Sequence, residues 1–235
     1  MSNKTKEKQR QLNLNYFTKK DTLKYIGLTI LFLGLYSLAF GWGIVSYILA
    51  ILGSPTGIIL FIVSTTRKSS EVDIENDLEL KLKYFDIELE NERKYFLKLI
   101  KNQKDIVIDG YIYKDGMPLK TLRSGVIRSN EFVRSKIRIM TDRLYILTRR
   151  VDLIESEAND TVYEIEYDNI KNLEISREKK VISFNGKEFN TKSTAFVITT
   201  ENDVYSFPIV DAITSDDLID NIKRHINTYN EHKQG

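Results

Sequence analysis

The chain has 235 residues, of which 42% are hydrophobic, a length that fits one or two domains. Its formal net charge of +2 gives no reason to expect nucleic acid as a partner. It contains no cysteine, which excludes disulfides, a lipoprotein anchor and a thiol nucleophile, and agrees with a reducing compartment.

The first predicted element is a transmembrane helical hairpin. Residues 25–66 contain no Asp, Glu, Lys, Arg or His. One span needs about 20 residues, so this run fits two spans, about 25–40 and 44–64, joined by Gly-Trp-Gly at 41–43. A turn at 53–57 would leave too few residues behind it, so Pro55 is placed inside the second helix.

Three other interpretations of this run remain open. It could form a buried helix pair in a soluble core, or a re-entrant hairpin that does not cross the bilayer. A signal peptide cleaved near Ala39 is the third, but the second apolar stretch would still hold the chain in the membrane.

The distribution of basic residues predicts the orientation of the hairpin. Residues 1–24 form a basic tail with two acids and seven cations, namely Lys4, Lys6, Lys8, Arg10, Lys19, Lys20 and Lys24. Arg67 and Lys68 follow the second span, and the turn between the spans has no charge. Positive residues mark the cytoplasmic side, so we expect a multi-pass protein of the cell (inner) membrane with both termini in the cytoplasm.

Residues 67–103 are predicted to be an acidic, mainly helical connector. Apolar residues recur at helical spacing from Leu78 through Leu82 and Phe85 to Ile100, and the sequence favours a helix over 86–102. Residues 72–85 also alternate in hydrophobicity, so helix and strand both remain open there. Residues 71–92 carry nine acids and two lysines.

From residue 104 onward the pattern indicates antiparallel strands. Residues 138–150, RIMTDRLYILTRR, read as two strands joined by a polar turn. Asn185-Gly186 predicts a tight hairpin, and a last hairpin is predicted across 201–203. An amphipathic helix over 215–229 then places Leu218, Ile222, Ile226 and Tyr229 on one stripe.

Two segments carry a resemblance to a known family. Residues 139–147, IMTDRLYIL, are similar to the "ITDxRLY" strand pair of bacterial pleckstrin-homology-like (PH/GRAM-like) domains. Residues 163–175 resemble the "IPYxxIxxVEI" element that follows it. The resemblance covers about 104–229 and departs from the family at 114–131, which is longer and more basic. It implies that residues 104–235 form an antiparallel PH-like β-barrel or sandwich capped by the C-terminal α-helix. Together with the predicted hairpin, this predicts a membrane-anchored α+β protein.

The basic segment 114–150 supplies the candidate site, because it has ten Lys/Arg against three acids. The candidate lipid- or partner-binding residues are Arg134, Lys136, Arg138, Arg143, Arg149 and Arg150. Some relatives in the resembled family bind lipid headgroups, and each cation near an anionic leaflet contributes about 1 kcal/mol. The alternative is that this segment pairs with the acidic residues of 71–92.

The sequence offers little for catalysis. The two histidines, His225 and His232, lie near the C-terminus, and no phosphate-binding glycine loop, metal motif or nucleophile motif is present. We expect no enzyme activity, no cofactor and no metal site. The expected function is a bacterial, membrane-anchored adaptor or scaffold that binds an unknown protein partner. The alternative is a module that contacts anionic lipid headgroups, and homo-oligomerisation stays open.

Overall fold

The computed structural model describes residues 3–18, 22–39, 43–66, 68–92, 105–122, 124–210 and 215–234. The chain divides into two compact units, residues 1–74 and 75–235. It is an α+β protein with antiparallel sheets and a C-terminal helix.

The first unit contains three helices and the start of a fourth. They are α1 (Asn3–Thr18), α2 (Thr22–Ala39) and α3 (Ile44–Thr66). Both predicted spans are therefore confirmed as helices, although this alone does not test whether they cross a membrane. Gly43 precedes α3 with a φ of +66°, and α3 continues through Pro55, which excludes a turn at 53–57. Helix α1, within the predicted basic tail, was not predicted.

Helices α2 and α3 pack through glycines. A Cβ atom on Gly57 would lie 2.6 Å from the backbone nitrogen of Leu31, and one on Gly27 would lie 2.9 Å from the carbonyl oxygen of Gly57. Only glycine permits this approach of two backbones. Gly53 and Gly57 form a Gly-x-x-x-Gly pair, a pattern typical of helix packing in membranes.

Helix α4 (Glu71–Glu92) decides between the helix and the strand that the sequence left open in the connector. It includes residues 72–85, so the strand interpretation of that segment is wrong, and the predicted continuation over 93–102 lies outside the described residues. Residues at the start of α4 explain why this segment forms a helix. The Ser70 hydroxyl accepts a hydrogen bond from the Asp73 amide at 3.1 Å, and the Asp73 carboxylate accepts one from the Ser70 amide at 3.0 Å. This reciprocal cap fixes the first turn.

The second unit contains two main sheets. One has the strand order β1-β4-β5-β6 and the other β7-β8-β9, while β2 and β3 form a separate small hairpin. All described pairings are antiparallel. The strands are β1 (Ile106–Tyr111), β2 (Leu119–Thr121), β3 (Ile127–Ser129), β4 (Glu131–Ile139), β5 (Arg143–Asp152), β6 (Glu157–Glu166), β7 (Ile170–Phe184), β8 (Lys187–Thr200) and β9 (Val204–Ile209).

The two predicted hairpins are confirmed. Asn185 and Gly186 have φ angles of +51° and +67° and join β7 to β8. Strands β8 and β9 pair from Thr199 and Val204 across residues 201–203. The predicted barrel is corrected: the Val210 amide donates to the Asp109 carbonyl at 2.7 Å beside β1, but no barrel is closed, because the two sheets remain separate ladders.

Helix α5 (Ser215–Gln234) covers the core between the sheets. Leu218 and Ile222 are buried in that core, with Ile226 and Tyr229 packed against it. The predicted stripe is therefore confirmed, and the helix continues five residues beyond its predicted end at 229. The structure places His225 half-buried on this helix, where burial lowers its pKa.

Candidate functional site: the basic sheet face and the cavity between the sheets

The central predicted site residues lie on the outer face of β4. Arg134, Lys136 and Arg138 alternate with residues such as Ile137 and Ile139, which enter the core. The sequence placed these three cations on one face correctly. They do not form an open surface, however, because their side chains are only 22%, 11% and 0% exposed.

Helix α4 supplies the carboxylate that covers two of these cations. Asp86 lies 3.3 Å from a guanidinium nitrogen of Arg134 and 3.0 Å from the ammonium of Lys136. Arg134 also pairs with Asp109 of β1 at 2.8 Å. Asp86 and Asp109 together balance the charges of Arg134 and Lys136, which removes most of the charge that this part of β4 would otherwise present.

Arg138 is the most deeply buried of the three. Its Nε donates to Asp105 at 3.1 Å, and the Asp105 side chain is itself 12% exposed. A buried guanidinium needs such a partner, because an unpaired buried charge costs several kcal/mol. Arg138 thus contributes to the stability of the sheet and is not accessible to a ligand.

Arg149 links β5 to both α4 and β6. It donates to Asp160 of β6 at 2.6 Å, to Glu88 of α4 at 2.9 Å and to the Lys81 carbonyl at 3.0 Å. Its guanidinium carbon lies 4.8 Å from the centre of the Phe85 ring, a cation–π distance. The hydrogen bonds that Arg149 donates to the Asp160 carboxylate raise the pKa of Arg149.

The two remaining predicted residues lie at the ends of β5. Arg143 pairs with Asp142 at 3.1 Å and with Glu164 at 2.9 Å, and Arg150 pairs with Glu131. All six predicted cations therefore have a carboxylate within ion-pair distance. Of the two alternatives that the sequence left open, the ion pairs with Asp86 and Glu88 show that acidic 71–92 and basic 114–150 do contact each other.

A second basic region lies between the two main sheets. A cavity of about 380 Å³ is lined by residues from all seven strands of these sheets and from the segment after β1. Three of its lining residues are cations, Lys114, Arg150 and Lys180, and none is a carboxylate. The acids that pair with two of these cations, Glu131 with Arg150 and Glu178 with Lys180, do not line the cavity.

The rest of the cavity wall is mixed in character. Thr161, Ser193 and Ser206 contribute hydroxyl groups. Tyr163 and Phe207 contribute aromatic surface, with their ring centres 5.6 Å apart in an edge-to-face arrangement. The wall therefore combines cations, hydroxyl groups and aromatic surface.

Tyr113 is one of the residues that line the cavity. Its hydroxyl donates to the Ile127 carbonyl at 2.7 Å, which ties the segment after β1 to β3. Burial raises the pKa of Tyr113 to about 12. The phenol is therefore neutral at physiological pH and adds no negative charge beside the three cations.

Sequence reasoning included Lys114 and Arg150 in the basic segment but missed the cavity. Lys180, Ser193 and Ser206 are distant in sequence, and no local motif unites them. The pairing of β8 with both β7 and β9 brings these three residues into one sheet, and that pairing is visible only in the structure.

Comparison with models of protein families, with curated proteins and with solved structures finds no match for this chain. By length and composition, one helical stretch in the described residues is apolar enough to cross a membrane, and Thr22–Ser37 is a shorter apolar helix. Among the described residues, no group of three or more His, Asp or Glu side chains is placed to hold a metal ion.

Proposed function

We propose that this protein is a non-catalytic adaptor or scaffold, anchored in the cell membrane by α2 and α3, with a PH-like domain at the cytoplasmic face. The apolar surface of the helix pair carries this proposal. Large apolar side chains that are at least 44% exposed occur along both helices: Leu23, Tyr25, Ile26, Phe32, Leu33, Leu35, Tyr36, Ile44, Val45, Tyr47, Ile48, Ile51, Leu52, Ile58, Ile59 and Ile62. Water disfavours such a surface, and lipid does not.

The close packing of α2 on α3 gives independent support to the anchor. In lipid, helices gain little from burying apolar groups against each other, so association depends on close contact between small residues. Gly27 and Gly57 provide that contact. The predicted orientation, with both termini in the cytoplasm, follows from the lysines and arginines that flank the helices.

The PH-like assignment is supported by the order of elements. Apart from the β2–β3 hairpin, the strands of the four-stranded sheet come first in the chain, then those of the three-stranded sheet and then one helix, which agrees with the antiparallel strands and final helix that the resemblance implies. The β2–β3 hairpin falls within 114–131, where the sequence departs from the family. It accounts for the extra length of that segment.

The edge of β6 is the surface we propose for a protein partner. In the described residues β6 pairs with β5 alone, and residues 157–162 are exposed throughout. An open edge of this kind can accept an extended strand from another chain. Three of its acids, Asp160, Glu164 and Glu166, already pair with Arg149 or Arg143, so main-chain hydrogen bonds and not charge would hold the partner strand.

The alternative of headgroup contact by the basic segment has weaker support. Its six candidate residues already have carboxylate partners, and four of them have side chains no more than 22% exposed. A leaflet would have to displace those partners before it gained any attraction.

The anchor and its orientation can be tested by labelling, because the chain has no cysteine of its own. We would introduce Ile44→Cys, which is 77% exposed at the start of α3, and Lys187→Cys in the β7–β8 hairpin, and treat intact spheroplasts with a membrane-impermeant maleimide. The proposal expects labelling at position 44 only. Labelling at position 187 would reverse the orientation, and extraction of the protein by alkaline carbonate would contradict the anchor.

The partner edge can be tested by capture from detergent-solubilised membranes. Val162→Lys places a charge on β6, where Val162 is 49% exposed, and Val126→Lys places the same charge at a 52% exposed residue before β3. We expect Val162→Lys to lose a co-purifying protein that Val126→Lys retains. Equal retention by both variants would exclude the β6 edge.

A further inference from the structure

We infer that the cavity between the two sheets binds a phosphate monoester, with the phosphate group held by Lys114, Arg150 and Lys180. This goes beyond the proposed function, because such a ligand would bind whether or not the protein has a protein partner. The inference rests on the contrast between three lining cations and no lining carboxylate.

The three cations approach the cavity from different parts of the fold. Lys114 follows β1, Arg150 lies near the end of β5 and Lys180 lies on β7. Groups that converge from three directions suit a compact anion with several acceptor oxygens. A phosphate monoester carries three terminal oxygens and close to two negative charges at neutral pH, so it matches this arrangement better than a carboxylate.

The present partners of these cations do not prevent ligand binding. Lys114 has no ion pair within the described chain. Lys180 pairs with Glu178 at 3.0 Å, with both side chains more than 40% exposed, and Arg150 is 47% exposed beside Glu131. The exposed Lys180–Glu178 pair contributes little, so an incoming phosphate can compete with it. The Glu131 side chain is only 14% exposed, but it accepts from one terminal nitrogen of Arg150, and the guanidinium has further N–H donors for a phosphate.

The remaining wall indicates what the phosphate is attached to. Hydroxyl groups of Ser193 and Ser206 can donate to ester or phosphate oxygens, and the rings of Tyr163 and Phe207 provide an apolar surface for a carbon skeleton. A volume of about 380 Å³ accommodates a small organic group along with the phosphate.

Two sources of this chemistry can be separated by experiment. Full-length protein in a neutral detergent would be titrated calorimetrically with glycerol 3-phosphate and with a short-chain phosphatidic acid, which carries the same phosphate monoester on a lipid. Saturable binding of either supports the inference. Binding of glycerol 3-phosphate indicates a soluble ligand, and binding of the phosphatidic acid alone indicates a lipid headgroup.

Matched variants decide whether the cavity is responsible. Lys114→Gln and Lys180→Gln each remove one charge-assisted hydrogen bond, and we expect each to weaken binding about tenfold or more. Lys179→Gln removes the same charge from the neighbouring residue of β7, which points to the opposite side of the strand and does not line the cavity. It should change the affinity less than about twofold.

Three results would overturn the inference. The first is no saturable binding of either phosphate compound. The second is wild-type affinity in both Lys114→Gln and Lys180→Gln. The third is an equal loss of affinity in Lys179→Gln, which would mean that diffuse positive charge, and not the cavity, attracts the anion.

Discussion

Helices in this molecule are packed by two different chemistries. Helix α2 meets α3 through Gly27 and Gly57, where the two backbones are in contact, and the ammonium of Lys24 on α2 lies 5.8 Å from the centre of the Phe61 ring on α3. The part of α4 in the second unit meets the outer sheet face through the Phe85 ring and the carboxylates of Asp86 and Glu88. The first interface depends mainly on the close fit of small residues, whereas the second combines an apolar contact with ion pairs.

The comparison also separates two meanings of a basic sequence. Arg134, Lys136 and Arg149 pair with carboxylates of the acidic helix α4, so the two segments neutralise each other. Lys114 and Lys180 lie in a cavity without carboxylates. A count of charges along the chain cannot distinguish these cases, because the distinction depends on which side chains the fold brings together.

The largest effect is expected from removing the apolar contact of α4. Phe85 is 2% exposed and packs against Leu147 and Tyr145. Phe85→Ala should cost about 3 kcal/mol of the free energy that holds α4 on the sheet. Hydrogen exchange measured by mass spectrometry should show lost protection over 75–88. Tyr84→Ala, at a 58% exposed neighbour, is the control and should change protection little. Equal effects would mean that Phe85 does not anchor the helix.

The glycine interface offers the next largest effect. Gly57→Ala places a methyl group 2.6 Å from the Leu31 nitrogen, so α2 and α3 must separate, at a cost of about 1–3 kcal/mol. Gly53→Ala is the matched control, since its nearest neighbour would be 3.6 Å away, an ordinary contact. Alanine there should be neutral or slightly stabilising, because it favours the helix. The measurement is thermal unfolding in detergent. Equal melting temperatures for Gly57→Ala and Gly53→Ala would contradict this account.

The ion pairs of α4 should matter less, and their effect should depend on salt. Asp86→Asn removes the carboxylate shared by Arg134 and Lys136, but that carboxylate is 41% exposed, so we expect a loss of about 1 kcal/mol. Hydrogen exchange at low and high ionic strength would show the difference from wild type shrinking as salt screens the pairs. Glu79→Gln, on an exposed position of the same helix, should have no such effect.

Much of the fold could be predicted from the sequence, because local signals determine it. The uncharged run gave α2 and α3, Asn185-Gly186 gave the β7–β8 hairpin, and the apolar stripe gave α5. The extent of α4 was harder, because residues 72–85 satisfy helical and strand periodicity together. Its capping pair, Ser70 and Asp73, was visible in the sequence and decides between them.

The site could be predicted only in part, for a physical reason. Alternation along β4 correctly placed Arg134, Lys136 and Arg138 on one face. Whether that face meets solvent depends on α4, which lies more than forty residues earlier in the chain. The cavity draws on seven strands, so its composition is a product of tertiary structure and leaves no pattern in any one segment.

The last prediction concerns the start of α4, where a change should affect only the first helical turn. Ser70→Ala removes the hydroxyl that accepts from the Asp73 amide and should cost about 1 kcal/mol of helix stability. Ser70→Thr keeps the hydroxyl and should retain most of that stability. In the wild type, hydrogen bonds from Ser70 lower the pKa of Asp73 below its usual value of 3.8. Because this pKa is lowered, the stability that the Asp73 carboxylate contributes is fully present above pH 3.8. It is lost as the pH falls further and Asp73 becomes protonated. Hydrogen exchange of the first turn should therefore differ between wild type and Ser70→Ala at neutral pH. The difference should narrow in acid without vanishing, because the Asp73 amide still donates to the Ser70 hydroxyl. A difference that persisted unchanged in acid would show that the cap does not depend on the Asp73 carboxylate.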